Sequence, residues 1–212
     1  MAKKTKEEAQ ETRNAILDAA EVVFQERGVS RTSLAEIAAA AGVTRGAIYW
    51  HFKNKEDLFN AMIERIVGAV ERKLAELRER NDDNPVRLIR DLSLYYIDRV
   101  ANDPRYLKLV DITLHKCEYV GEMAGIRDTH LECGNRYHPL SIECFSEAQK
   151  KGFLRPGVDP NMAAIGLIAI VDGLVANWAL DQSMFPLASY GPGVIDTYLT
   201  GLGLMIPDEK NE

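Results

Sequence analysis

The chain has 212 residues, 46% apolar and 27% charged, which excludes a disordered or fibrous protein and leaves length for a substantial core. Its formal net charge of −6 excludes a nucleic-acid binder that works by bulk positive charge; nine basic and nine acidic residues balance through Phe59, so the whole deficit lies beyond it. Cys117, Cys133 and Cys144 form no CxxC pair, which excludes a disulfide framework and fits free thiols in a reducing compartment.

The pattern is helical throughout, with no alternating β-branched run. Thr5 and Glu8 fit a capping box opening a first helix that Gly28 stops, with Ile16, Ala20, Val23 and Phe24 facing inward. Lys3, Lys4 and Lys6 read as a mobile arm that orders on a phosphate backbone. Ser33 and Glu36 form a second capping box, ahead of apolar positions Leu34, Ile37, Ala38 and Ala41. Gly42 supplies a tight turn, and Thr44 caps a short helix whose inward residues are Ala47 and Ile48. That helix buries little yet carries Arg45, Tyr49, Trp50 and His51, which suits a helix–turn–helix entering a major groove. An ordinary two-helix corner shares the pattern without binding DNA.

Asn54 can cap a long helix to about Arg80, striped with Ile63, Ile66, Val67, Val70, Leu74 and Leu77. Asn84-Pro85, Asp103-Pro104 and Asp159-Pro160 share one start signal, an Asx cap followed by proline at the first helical position. They predict helices near 85–101, 104–116 and 159–180. Between them 121–151 should be helical, with a kink or break near Asn135–His138 because Pro139 removes a hydrogen bond. The last main helix is expected from Pro192, with Leu187–Tyr190 a turn or a short extra piece. No apolar run approaches the length needed to cross a bilayer, and the basic N-terminus lacks the apolar stretch of a signal peptide, so a cytoplasmic protein is expected.

The run Val43-Thr44-Arg45-Gly46-Ala47-Ile48-Tyr49-Trp50-His51-Phe52, followed by Lys53-Asn54-Lys55-Glu56-Asp57-Leu58, closely resembles the DNA-binding domain of the TetR family of repressors. The opening Lys3-Lys4-Thr5 to Thr12-Arg13 and the later Leu114-His115-Lys116-Cys117-Glu118 look like its AcrR branch, local repressors of multidrug efflux pump operons. The resemblance is strongest over the first quarter. It implies an all-α fold of about nine helices, with a three-helix DNA-binding domain over 1–54 and a ligand-binding and dimerisation domain over 55–212. The implied partners are pseudo-palindromic operator double-stranded DNA, a small lipophilic inducer and a second copy of the chain, with no membrane and no cofactor.

Arg45 is the best candidate for reading a base, since a guanidinium can donate two bonds to guanine O6 and N7. The resemblance places Thr44, Tyr49, His51 and Lys55 at phosphates or groove edges, with Gly46 beside them. Thr32 and Ser33 could hold a phosphate through amides and hydroxyls. Trp50 fits either packing or phosphate contact, whereas Phe52 reads as core. Inducer-pocket candidates are Ile66, Val70, Leu92, Tyr96, Val110, Leu114, Tyr137, Ile168 and Asp172, although periodicity alone does not separate a pocket wall from filled core. Asp172 lies in the apolar run Ile170–Leu174, so its carboxylate either binds a cationic or hydroxyl-bearing ligand or pairs with a neighbouring cation. The dimer interface is expected at Leu167, Val171, Leu174, Trp178, Ile195, Tyr198, Leu199 and Leu202, with Gly201 and Gly203 allowing close approach. His115–Glu118 and His130, Cys133 and His138 lack zinc spacing, and no catalytic motif occurs, so neither a metal site nor an enzyme is expected. A DNA-bound repressor or scaffold answering to a metabolic ligand or a protein partner is the rival reading.

Overall fold

The computed structural model describes residues 2–80, 84–118, 125, 127 and 136–204, with side chains from Thr5 onward. Among the described residues there are nine helices and no strand. They are α1 (Ala2–Arg27), α2 (Leu34–Ala40), α3 (Arg45–His51), α4 (Lys55–Glu79), α5 (Pro85–Asn102) and α6 (Pro104–His115), then α7 (His138–Lys150), α8 (Pro160–Leu180) and α9 (Leu187–Gly201). The chain divides into a head, Met1–Val67 with Lys108–Leu131, and a body, Gly68–Leu107 with Glu132–Glu212. Both α4 and α6 begin in one unit and end in the other.

Local signals set most of these starts. Ser33 closes a full capping box: its hydroxyl accepts from the Glu36 amide at 3.3 Å and the Glu36 carboxylate accepts the Ser33 amide at 2.8 Å. The Asn54 side chain accepts from the Asp57 amide at 2.8 Å at the start of α4. Asn84, Asp103 and Asp159 each accept the amide two residues on, and the intervening proline lies in the first turn, where no amide is needed. Pro139 likewise falls in the first turn of α7 and Arg136–Tyr137 form a turn, so a helix boundary stands beside the predicted break. Asn135 and most of 119–135 lie outside the described residues.

The head is a three-helix core closed by the start of α4. Ile16, Leu17, Phe24, Ile37, Ile48, Phe52, Leu58 and Phe59 are each at most 1% exposed, and burial of each such side chain contributes roughly 1.5–3 kcal/mol. Arg65 of α4 reaches across to α1. It donates to Asp18 at 2.7 Å, to the buried Glu21 at 2.6 Å and to the Asn14 carbonyl at 3.2 Å. The Lys116 carbonyl, just past α6, accepts from the Val29 amide at 2.9 Å, tying that end to the α1–α2 turn.

In the body, α8 packs on α7 and α9, and α5 packs on α7, α8 and α9. Arg90 of α5 forms a two-pronged pair with Asp196 of α9, at 2.6 and 2.8 Å. The Tyr198 hydroxyl donates to the Ala163 carbonyl at 2.9 Å, and a Cβ at Gly166 would stand 2.1 Å from that hydroxyl, so any side chain at 166 would have to displace the Tyr198 ring.

Four expectations are corrected. The helix α1 starts at Ala2, not at a Thr5 cap, because Ala, Lys, Glu and Gln continue it; the lysine arm is helical backbone. The helix α9 starts at Leu187 and carries Pro192 inside it. Leu187 is 1% exposed and Gly191 lies flush against Ile97, with no room for a Cβ beyond 3.1 Å, so packing outweighs the lost hydrogen bond. Gly203, expected to allow close approach within a helix, lies just past α9 with φ +93 against Arg155, whose amide donates to the Leu202 carbonyl at 2.8 Å. Finally, α8 has 21 residues and is apolar enough, by length and composition, to cross a membrane. It nonetheless buries Ala163, Ala164, Leu167, Val175 and Trp178 within the protein, as a core helix does.

Candidate nucleic-acid interface

The geometry of α3 follows from its caps. Gly42, at φ +67, turns the chain out of α2, and the Thr44 hydroxyl then accepts from the Ala47 amide at 3.1 Å. Ile48 alone is fully buried on α3. That single anchor leaves the opposite face outward: Thr44, Arg45, Gly46, Tyr49 and Trp50 are exposed, Tyr49 at 47% and Trp50 at 73%. The Arg45 guanidinium stands over the Tyr49 ring, 5.7 Å from its centroid, and Trp50 meets His51 edge-on at 4.5 Å. Phe52 is core, as expected, and Trp50 packs on no interior.

His51 is half-buried, and burial lowers its pKa from the ordinary value near 6.5, with the Arg13 charge adding to the shift. Its ring is therefore neutral at pH 7 and offers one N–H. Because the folded state disfavours the imidazolium, this residue's contribution to stability is complete above pH 6.5 and is lost as pH falls through the lower folded value. Proton NMR titration of the His51 ring is expected to give a midpoint below 6.5 that rises on Arg13→Met; a midpoint at or above 6.5 would refute the assignment.

Three residues expected at phosphate do other work. Thr32 is 2% exposed, and its hydroxyl donates to the Gly28 carbonyl at 2.8 Å. Ser33 gives both its amide and its hydroxyl to the Glu36 carboxylate, each at 2.8 Å. Lys55 is 8% exposed, and its ammonium donates to the Ser30 and Thr32 carbonyls at 3.3 and 3.0 Å, bracing α4 against the α1–α2 turn. The resemblance that places Lys55 near the groove says nothing of carbonyls supplied by a distant turn.

In the body, Asp172 and Tyr96 form the most informative pair. Burial raises the Asp172 pKa above the ordinary carboxyl value, and burial, then the Asp172 charge, raises that of the Tyr96 hydroxyl. Tyr96 is half-buried, but Asp172, expected to be enclosed in its apolar run, is exposed, so its carboxyl reaches solvent at the flank of α8. Among the described residues no cation is paired with Asp172. Ile66, Tyr137 and Ile168 are half-buried, whereas Val70, Leu92 and Val110 are buried, at 4–6% exposed. Leu114, expected to face inward, is exposed. Of the expected dimer residues, Leu167, Val171, Trp178, Ile195 and Leu199 are buried within the protomer itself, and Leu174, Tyr198 and Leu202 are half-buried. The apolar side chains left outside are Met162, Ile165 and Leu180 on α8 and Tyr190 and Val194 on α9. Amphipathic spacing alone does not say which apolar face of α8 the body consumes. Among the described residues no group of three His, Cys, Asp or Glu side chains could hold a metal.

A short capped helix held by one buried isoleucine, with a donor-rich outer face and a glycine turn behind it, defines a helix–turn–helix regulator. Residues 16–62 match the family described as bacterial regulatory proteins, tetR family, and 84–204 match the MAATS-type transcriptional repressor C-terminal region. The transcriptional regulator TtgR of Pseudomonas putida is 40% identical over 96% of this chain and 97% of its own. NalD, the secondary repressor of the MexAB-OprM multidrug efflux pump in Pseudomonas aeruginosa, superposes with a TM-score of 0.84 at 32% identity, over 95% of this chain and 99% of its own. SmeT of Stenotrophomonas maltophilia, in its complex with triclosan, gives 0.82 at 31% identity, over 95% and 97%. The chain belongs to the TetR family of bacterial regulatory proteins, with a body of the MAATS-type transcriptional repressors. That family is one of transcription regulators rather than enzymes.

Proposed function

We propose that the protein is a cytoplasmic homodimeric repressor of a multidrug efflux pump operon, released from its operator by a lipophilic drug-like ligand. The observation that carries DNA binding is the outward face of α3, with Arg45 over Tyr49 and Trp50 largely exposed. Gly46 supports it. An exposed helical glycine costs about 1 kcal/mol relative to alanine, yet a Cβ there would meet nothing closer than the Thr44 hydroxyl at 3.8 Å. The space it leaves is useful to something outside the chain, and a DNA backbone fits. Efflux control follows NalD and SmeT, both described as repressors of multidrug efflux pumps.

For the ligand, an exposed Asp172 whose charge acts on the half-buried Tyr96 hydroxyl offers two polar groups suited to a phenol or an amine. The head and body share two helices, α4 and α6, so a ligand in the body has two covalent routes to the head. It must favour the state that does not bind DNA, or it shifts nothing. The test is a screen of phenols, dyes and antibiotics by thermal shift and by release from the intergenic DNA upstream of the gene. Ligands that raise the melting temperature and weaken DNA binding support the reading. Ligands that bind without weakening it sink it.

Dimerisation is proposed through the outer faces of α8 and α9, at Ile165, Leu180, Tyr190 and Val194, where Gly193 and Gly201 leave open space. Ile165→Glu with Val194→Glu is expected to give a folded monomer by light scattering, and a dimer of unchanged affinity would exclude this face.

A further inference from the structure

We infer that Arg13, on α1, is a phosphate-contacting residue of the DNA interface, standing where Lys55 was expected to act. This rests on the DNA-binding reading above. The Arg13 guanidinium carbon lies over the Phe52 ring, 5.0 Å from its centroid. Phe52 is 1% exposed and caps the C-terminal end of α3, so the ring is a fixed platform directly beyond Trp50 and His51. Arg13 thus sits at the end of α3 opposite to Arg45, which lies in its first turn.

A guanidinium stacked on a ring has lost much of its freedom already and keeps its N–H donors at the ring's edge. Among the described residues Arg13 makes no ion pair or hydrogen bond that uses them. One helical turn away on α1 stand Ala9, Gln10, Ile16 and Leu17, none of them acidic. Arg65, by contrast, spends its donors on Asp18, Glu21 and Asn14, and Lys55 spends its own on two carbonyls. Arg13 is half-buried, held in place and uncommitted, and its field already reaches His51. A phosphate passing the end of α3 would meet the Arg13 fork with Lys53, which is exposed. Phosphate contacts of this kind set register without reading sequence.

The experiment measures fluorescence anisotropy of the full-length protein with a short random-sequence duplex over about 50–200 mM KCl. Arg13→Met keeps the apolar stem over Phe52 and removes the charge, and Arg13→Lys keeps the charge. Arg13→Met is expected to weaken binding and to flatten the slope of log affinity against log salt by about 0.9 for each subunit engaged. Arg13→Lys is expected to restore most of that slope. An unchanged slope in Arg13→Met overturns the inference, whatever its melting temperature, and so does equal flattening in both variants. Wild-type protein that fails to bind the duplex at all would instead overturn the DNA-binding reading.

Discussion

Arg65→Met is expected to destabilise the protein by up to about 3–5 kcal/mol, the cost of removing one member of a buried ion pair. The other member is Glu21, on α1, whose side chain is 6% exposed and lies 2.6 Å from the guanidinium. The same group holds Asp18 at 2.7 Å, but Asp18 is largely exposed and adds little by itself. The Asn14 carbonyl completes the set, so one residue of α4 fixes three points spread over two turns of α1. Methionine preserves the volume and removes every donor. Urea denaturation reads the effect, and the double variant with Glu21→Met should recover most of the loss, because no buried charge then remains. A single variant as stable as the wild type would show that solvent reaches Glu21. Loosening of α4 from α1 should also reach the DNA, since α1 carries Arg13, stacked on the Phe52 ring, and packs on α2 and α3.

The second expected result concerns Arg45→Ala. Arg45 is exposed at the start of α3, and the Tyr49 face steers its guanidinium. If it donates two bonds to one guanine, truncation removes roughly 1–3 kcal/mol of discrimination at that base pair, a factor of about 5 to 150. Selection from a random duplex library with wild-type protein would reveal the preferred site. The variant should lose preference at one position in each half-site while binding random duplex nearly as well as before. The fold should be unaffected, because Arg45 covers no core residue and Ile48 alone is fully buried on α3. Unchanged preference at every position would remove Arg45 from base reading. Set beside Arg13→Met, the pair separates two roles: one variant alters selectivity, and the other alters the salt dependence common to all sequences.

The two residues also mark how far a sequence carries. Arg45 was legible because Ser33, Gly42 and Thr44 act on amides within three residues of themselves, and their caps set where α2 and α3 begin. The Asx-Pro starts of α5, α6 and α8 were legible on the same ground, since cap and helix are neighbours in the chain. Arg13 was not, because its significance comes from Phe52, thirty-nine residues on. Lys55 misled for the same reason: the carbonyls of Ser30 and Thr32 take its ammonium from across the head. On α9, proline and glycine argued locally for a late start, but Ile97 of α5 presses on Gly191 and the body buries Leu187, so the helix begins five residues earlier.

The sequence by itself determined the all-α class, nearly every helix start, the helix–turn–helix and the outward face of α3, because these rest on caps, turns and periodicity along a few residues. Only the tertiary structure decided which cations the described residues engage, which face of α8 the body consumes, and that the Asp172 charge acts on Tyr96. Those outcomes depend on partners brought together from distant parts of the chain. A side chain's availability is set by what surrounds it, and its own type and spacing carry no record of that.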